Sequence, residues 1–269
     1  LQISLFSLVA CIPFLKTGRM SLVDIAWPFG VALIGAQILV MGDGAFLRKF
    51  AVGGIYLLIG LRMGIGALTM AKTTGVIVRT EFPRYVYRRM TLEKSGKHWI
   101  QFHMLAEILA QGFANMPVLA LPGFMMAING SRSLSGWEIA DVCIWATAYI
   151  LESTADVQKL RFIANNKGGV CNIGLWRYSR HPNYFAEWLV WTGLVTAAVP
   201  SWLALRAIES PYVWITLGIG AAGASVMMYI TLVYLTGAIP AEYYSARKRP
   251  EYNNYQETTN MFFPWFPKG

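Results

Sequence analysis

Apolar residues fall into seven runs, at about 1–15, 24–41, 51–70, 102–129, 137–151, 184–205 and 212–236, separated by polar or charged connectors. Most runs approach the ~20 residues that an α-helix needs to cross a bilayer, so the pattern predicts an all-α integral membrane bundle of about seven transmembrane helices. The first run is short. Pro117 and Pro122 in the fourth remove two helix donors and predict a kink or an early end there. The C-terminal tail, rich in Tyr, Glu, Arg and Pro, is too polar for lipid and reads as an amphipathic cap folded back under the bundle. No linker, low-complexity segment or clear repeat divides the chain, which reads as one membrane domain over residues 1–269.

Composition agrees with the pattern. Hydrophobic residues make up 55% and charged residues 14% of the chain, and the mean hydropathy of +0.44 is too high for an ordinary soluble domain. The net charge of +9 is carried by connectors rather than by one solvated face, which argues against a nucleic-acid partner. The connectors after the first, third and fifth runs, together with the tail, hold 18 of the 23 Lys and Arg. Positive charge is retained on the cytoplasmic-equivalent side, so the C-terminus is expected on the charged side and the N-terminus opposite. Cys11, Cys143 and Cys171 are far apart and lack CxxC spacing, which indicates neither a disulfide framework nor a metal site. His98 and His103 also lack a nearby ligand partner, so no metal is expected. The chain begins with Leu, which leaves a removed presequence open.

Polar chemistry concentrates in ESTADVQKLRFIANNKGGVCNIGLWRYSRHPNYFAEW, residues 152–188. Glu152 and Asp156 stand at i and i+4 on one helix face, and Asn183 and Glu187 repeat that spacing at the start of the next apolar run. Such carboxylates near a membrane boundary either bind a ribose or amide, or pair with Lys159, Arg161 or a tail arginine. Arg161, Lys167, Arg177 and Arg180 surround that face; an anionic cofactor or ordinary topogenic charge accounts for them. His181 precedes Pro182, so it is held extended and reads as a structural or phosphate-contacting group. Asp24 and Arg62 are ionisable groups inside apolar runs. Either they form an ion pair with each other, or one donates a proton or lines a substrate cavity. Tyr85 in the long basic connector offers a phenolic hydroxyl. No P-loop or GxGxxG is present, so a soluble dinucleotide fold is not the route to any nicotinamide here.

Four blocks, LVDIAWPFG, TEFPRY, ESTADVQKLRF leading into GLWRYSRHPNYFAEW, and IPAEYYSARKRPEYNNYQETTNMFFPWFPK, make the chain resemble the C-terminal half of the steroid 5-alpha-reductase superfamily and, more closely, the DUF1295 family. The resemblance implies a seven-helix membrane reductase that takes NADPH at its charged side and reduces a carbon–carbon double bond conjugated to a carbonyl. It implies a substrate half at 1–130 and a cofactor half at 137–269. Asp156, Arg180, Asn183, Tyr184 and Glu187 match the family's cofactor pattern, with Tyr244 a further match and Glu152 in the place of an amide. The Gln-Glu pair that polarises the enone in steroid reductases has no counterpart, and Asp24, Arg62 and Tyr85 are the substitutes this sequence offers. The RHPNY block also resembles lipid and isoprenylcysteine methyltransferases, for which Glu187 and Glu242 would serve S-adenosylmethionine. A third reading is a non-catalytic accessory or lipid-binding subunit of a larger membrane complex. Membrane lipids and an apolar small-molecule substrate are the expected partners.

Overall fold

The computed structural model describes residues 1–75 and 79–268, and among these residues all regular structure is helical, with no strand. In chain order the helices are α1 (Gln2–Phe6), α2 (Ile12–Thr17), α3 (Val23–Met41), α4 (Phe46–Thr74), α5 (Pro83–Lys94), α6 (Ile100–Ala110), α7 (Met116–Ala127), α8 (Gly136–Asn165), α9 (Pro182–Ala197), α10 (Val199–Leu205), α11 (Pro211–Ile230), α12 (Ala238–Lys248) and α13 (Glu251–Thr258). The all-α membrane architecture expected from the pattern is therefore present.

Five stretches are long and apolar enough to cross a membrane: Val23–Met41, Phe46–Thr73, Ile100–Ala127, Pro182–Leu205 and Pro211–Lys248. The protein is a multi-pass membrane protein, and among the described residues five stretches meet that length and apolarity where the pattern predicts about seven. Gln2–Thr17 is shorter. The 30-residue α8 has length enough, but Glu138, Asp141, Glu152 and Asp156 interrupt its apolar run. The kink expected in the fourth run takes the form of a π-helical turn at Gln111–Asn115, joining α6 to α7. Pro117 has no N–H for the carbonyl one turn earlier, and a widened turn absorbs its ring. A second π turn, Ser7–Cys11, precedes Pro13 in the same way.

The chain divides into two compact units, one formed by Leu1–Glu138 with Ala197–Ala224 and the other by Ile139–Thr196 with Ser225–Gly269. In the first unit α3 and α4 pack backbone to backbone. A Cβ on Gly60 would collide with the Ala32 nitrogen and the Pro28 carbonyl, so only glycine permits this approach. Around that contact Val31, Ile34, Ile38, Val52, Tyr56 and Leu119 form a buried core. Tyr56 donates its hydroxyl to the Leu119 carbonyl at 2.6 Å, so its polar end is satisfied inside the apolar packing.

The same unit buries an ion pair. Arg48 and Glu138 are 2% and 1% exposed and meet at 2.6 Å. Arg48 also donates to the Ser133 carbonyl at 2.8 Å and to the Ser131 carbonyl. Ser135 and Glu138 form a capping box at the start of α8: the Glu138 carboxylate accepts the Ser135 N–H at 2.7 Å, and the Ser135 hydroxyl accepts the Glu138 N–H at 3.2 Å. One guanidinium thus gathers the connector ahead of α8. Glu138→Gln leaves Arg48 buried without its counter-charge and is expected to cost about 3–5 kcal/mol. Thermal melts in detergent against Glu93→Gln, an exposed control expected within about 0.5 kcal/mol of wild type, check this.

Candidate functional site

In the second unit the connector from 166 to 181 folds back along the end of α8. Trp176 is buried, and its indole N–H donates to the Ala155 carbonyl at 2.9 Å. Gln158 accepts the Leu175 N–H at 2.9 Å, and Lys159 places its ammonium 4.1 Å from the centre of the Trp176 ring. Ala155, Cys171 and Trp176 form a small core with Phe162 and Leu175 against it. The connector therefore arrives at α9 in a fixed conformation.

Arg180 fixes the next step. Its Nε and Nη2 donate to Glu242 on α12 at 2.7 and 3.1 Å, and its Nη1 donates to the Gln256 carbonyl at 2.8 Å and to the Thr259 carbonyl. Glu242 also receives the Gln256 amide at 2.7 Å and the His181 Nε2 at 3.0 Å. A carboxylate only accepts, so the neutral His181 carries its proton on Nε2. Burial pushes the His181 imidazole below its ordinary pKa, against the raising pull of Glu242 and with the Arg180 charge adding to the lowering. Tyr184 stacks parallel on His181, with ring centres 5.2 Å apart. Tyr255 donates to the Trp176 carbonyl, and the Ser179 hydroxyl donates to the Phe262 carbonyl at 2.9 Å. The tail is bound to the RYSRHPNY block throughout.

The two polar faces expected on α8 and α9 meet. Asn183 donates its amide to Asp156 Oδ1 at 3.1 Å. Because Asp156 can only accept, the amide nitrogen must face it and the carbonyl oxygen must face away. That oxygen, Asn183 Oδ1, is buried and accepts no hydrogen bond among the described residues. Glu152 and Glu187, one turn from Asp156 and Asn183 on the same faces, are buried at 7% and 9% exposure. Arg161 lies exposed on α8, and Tyr244 lies half-buried on α12, edge-on to Tyr243. Of the expected cations Arg180 is the one drawn into the interior; Lys167 and Arg177 are exposed.

In the first unit the LVDIAWPFG and TEFPRY blocks come together. Glu81 accepts the N–H groups of Met20 and Ser21 at 2.7 and 3.0 Å and the Ser21 hydroxyl, while Ser21 accepts the Phe82 N–H at 2.8 Å. That clamp sets Arg84 and Tyr85 beside Asp24: Arg84 Nη2 lies 2.7 Å and the Tyr85 hydroxyl 3.0 Å from Asp24 Oδ1. Asp24 Oδ2 is buried and accepts no hydrogen bond among the described residues. Pro28 has no N–H to give the Asp24 carbonyl one turn before it, so the helix is open at this point. Burial first, and then the Asp24 carboxylate, push the Tyr85 phenol well above its ordinary pKa, so it stays a protonated donor. Arg62 lies half-buried on α4. The ion pair described for Asp24 is the one with Arg84, whose place directly before Tyr85 in TEFPRY was the available signal. Glu81 had no assigned role in the sequence, since a clamp across 60 residues leaves no local pattern.

Among the described residues no three His, Cys, Asp or Glu side chains group as a metal site. The family model for "Protein of unknown function (DUF1295)" matches residues 14–259. No curated protein and no solved structure matches the chain.

The depressed His181 pKa sets a pH dependence. An unfolded histidine takes up a proton below about pH 6.5, whereas the folded one resists it, so this contribution to stability is complete above that pH and is lost as pH falls through the lower folded value. His181→Gln, which keeps an N–H donor, is expected to flatten the fall in melting temperature between about pH 7 and pH 5 relative to wild type. Parallel melts of the two proteins across that range check it.

Proposed function

Since the chain belongs to the DUF1295 family, we propose that it is a membrane-embedded reductase that uses NADPH to reduce a carbon–carbon double bond conjugated to a carbonyl in an apolar, lipid or steroid-like substrate. The observation that carries this reading is Asn183. A buried carbonyl oxygen with no donor, locked in direction by Asp156, needs a ligand that supplies N–H or O–H groups. The carboxamide and ribose hydroxyls of a nicotinamide nucleotide have that chemistry. Glu152 and Glu187 add acceptors for further hydroxyls, and Asp156 positions the Asn183 amide. The exposed cations Arg161 and Lys167 suit the phosphates, while Arg180 keeps the site in shape through Glu242. When bound, the cofactor supplies the hydride.

The substrate end is assigned to Asp24, Arg84 and Tyr85, with Arg62 a further candidate. Hydride addition to an enone builds negative charge on its oxygen, which a fixed donor or cation must stabilise. Turning the Tyr85 hydroxyl from Asp24 onto that oxygen leaves Asp24 still neutralised by Arg84. Tyr85 then donates the hydrogen bond, Arg84 supplies positive charge, and Asp24 holds both in place. The methyltransferase alternative needs carboxylates for a sulfonium cofactor, and Glu242 is already engaged by Arg180, His181 and Gln256. That commitment favours the reductase.

Thermal stabilisation of the detergent-purified protein by NADPH, NADH and S-adenosylmethionine is the direct test. NADPH is expected to stabilise selectively, and Asn183→Ala to weaken its binding about tenfold. Stabilisation by S-adenosylmethionine would restore the methyltransferase, and a folded protein that answers to none of the three would point to an accessory subunit. Tyr85→Phe and Asp24→Asn are expected to lower turnover of a reducible enone by about 100-fold or more while leaving NADPH affinity within about threefold. Loss of affinity in step with turnover would remove that division of roles.

A further inference from the structure

Within the second unit a cavity of about 340 Å³ lies between one face of α13 and the connector that precedes α9, lined among others by Asn172, Arg177, Glu251, Asn254, Thr258 and Pro267. Its volume is in the range of small-ligand sites. The lining is not neutral filler. Arg177 and Glu251 put one full charge of each sign on the same cavity, and neither makes an ion pair or a side-chain hydrogen bond among the described residues. The two amides of Asn172 and Asn254 add donors and acceptors between them. None of these residues belongs to the Asp156 and Asn183 face.

The surface beside the cavity says where its ligand comes from. The tail crosses the connector, with Trp265 N–H donating to the Tyr178 carbonyl at 2.9 Å and Lys268 N–H to the Thr258 carbonyl at 2.8 Å. Trp265 and Phe266 stand out at 69% and 73% exposure, and Phe266 meets Tyr178 edge-on at 6.0 Å. In a membrane protein such a group of exposed Trp, Phe and Tyr rings sits at headgroup depth. Phe266 is followed directly by Pro267 of the cavity lining, and Tyr178 is preceded directly by Arg177. A polar cavity with both charges therefore lies next to an exposed aromatic group of the kind that a bilayer interface covers.

We propose that this cavity is a headgroup site for a zwitterionic phosphate ester bearing a primary ammonium, as in phosphatidylethanolamine. The Arg177 guanidinium forks onto phosphate oxygens, Glu251 accepts the ammonium, and Trp265 and Phe266 seat the glycerol end at the interface. An anionic headgroup without the ammonium meets Arg177 equally well but faces the Glu251 charge uncompensated, so the site discriminates in favour of the zwitterion.

The full chain, stripped of lipid in detergent and offered equimolar phosphatidylethanolamine and phosphatidylglycerol, is read by native mass spectrometry for what it retains. Wild type is expected to keep the ethanolamine lipid in about fivefold preference, Arg177→Gln to lose most of both, and Glu251→Gln to bring the ratio to about one. Arg177 and Glu251 are exposed, so both variants are expected to fold, and their melting temperatures are recorded alongside; Arg177→Lys is expected to restore part of the retention. Free phosphoethanolamine in a thermal-shift assay separates the sources. Stabilisation as strong as that by the lipid assigns a soluble ligand of the same chemistry, and stabilisation by the lipid alone assigns the membrane. A wild-type ratio near one, variants that retain lipid as wild type does, or no response to either form overturns the proposal. No cofactor enters this experiment, so its outcome is independent of the reductase reading.

Discussion

Arg180 delivers four hydrogen bonds to groups 62 to 79 residues away in the chain, two of them to Glu242 and two to carbonyls at the end of α13. Guanidinium and carboxylate are 10% and 8% exposed. Burying the two charges costs several kcal/mol each, and the cost is met because nearly every donor and acceptor around them is used. Glu242 accepts from Arg180, His181 and Gln256 together. If either partner is lost, the other is a buried charge. The consequence reaches α9: His181, with its ring on Glu242, and the peptide bond joining it to Pro182 set where that helix starts, and Asn183 follows in its first turn. The acceptor aimed away from Asp156 is therefore placed by an ion pair in which it takes no part.

The same commitment changes the meaning of the RHPNY block. A sequence gives an arginine, a histidine and an asparagine in consecutive company, and all three look equally available to a ligand. Arg180 and His181 are turned inward on Glu242, whereas Asn183 keeps an unmet acceptor. In the proposed reading phosphate recognition falls to the exposed cations Arg161 and Lys167, and the block divides into two residues that hold the tail and one that keeps an open acceptor.

The lengths of the apolar runs, the prolines at 117 and 122, and the i, i+4 pairs at 152/156 and 183/187 were all legible in the chain, because each depends on neighbours within a few residues. The meeting of the α8 and α9 faces was legible on another ground, since a single connector joins the two helices and brings their polar ends to the same place. Which charge pairs with which was not. Asp24 and Arg62 read as one open pairing between neighbouring runs, while the contacts of Asp24 with Arg84 and Tyr85 arise because the Glu81 clamp folds their connector onto the turn before α3. Arg48 reads as one of two basic residues in a short connector and is instead buried against Glu138 across 90 residues. Helical periodicity tells which residues share a face and carries no information about the face opposite. Run length alone does not number the spans: α8 is long, but its carboxylates lower its hydropathy, and five stretches meet both length and apolarity among the described residues.

Asp24 Oδ2 and Asn183 Oδ1 are among the buried oxygens that have no donor among the described residues, and both are acceptors. An enone oxygen is an acceptor too, so it cannot satisfy Asp24 directly and must be met by Tyr85 or Arg84. The charge on Asp24 is then best understood as what keeps those two donors concentrated at one point of a largely apolar unit, where an isolated guanidinium would be expensive. Asn183 is different in kind, since its oxygen is neutral and Asp156 fixes only its direction. It asks for a ligand donor without asking for a charge. A carboxamide or a hydroxyl fills that demand and a phosphate does not, so under the proposed reading the nicotinamide or ribose end of a dinucleotide goes to Asn183 and its phosphates to Arg161 and Lys167.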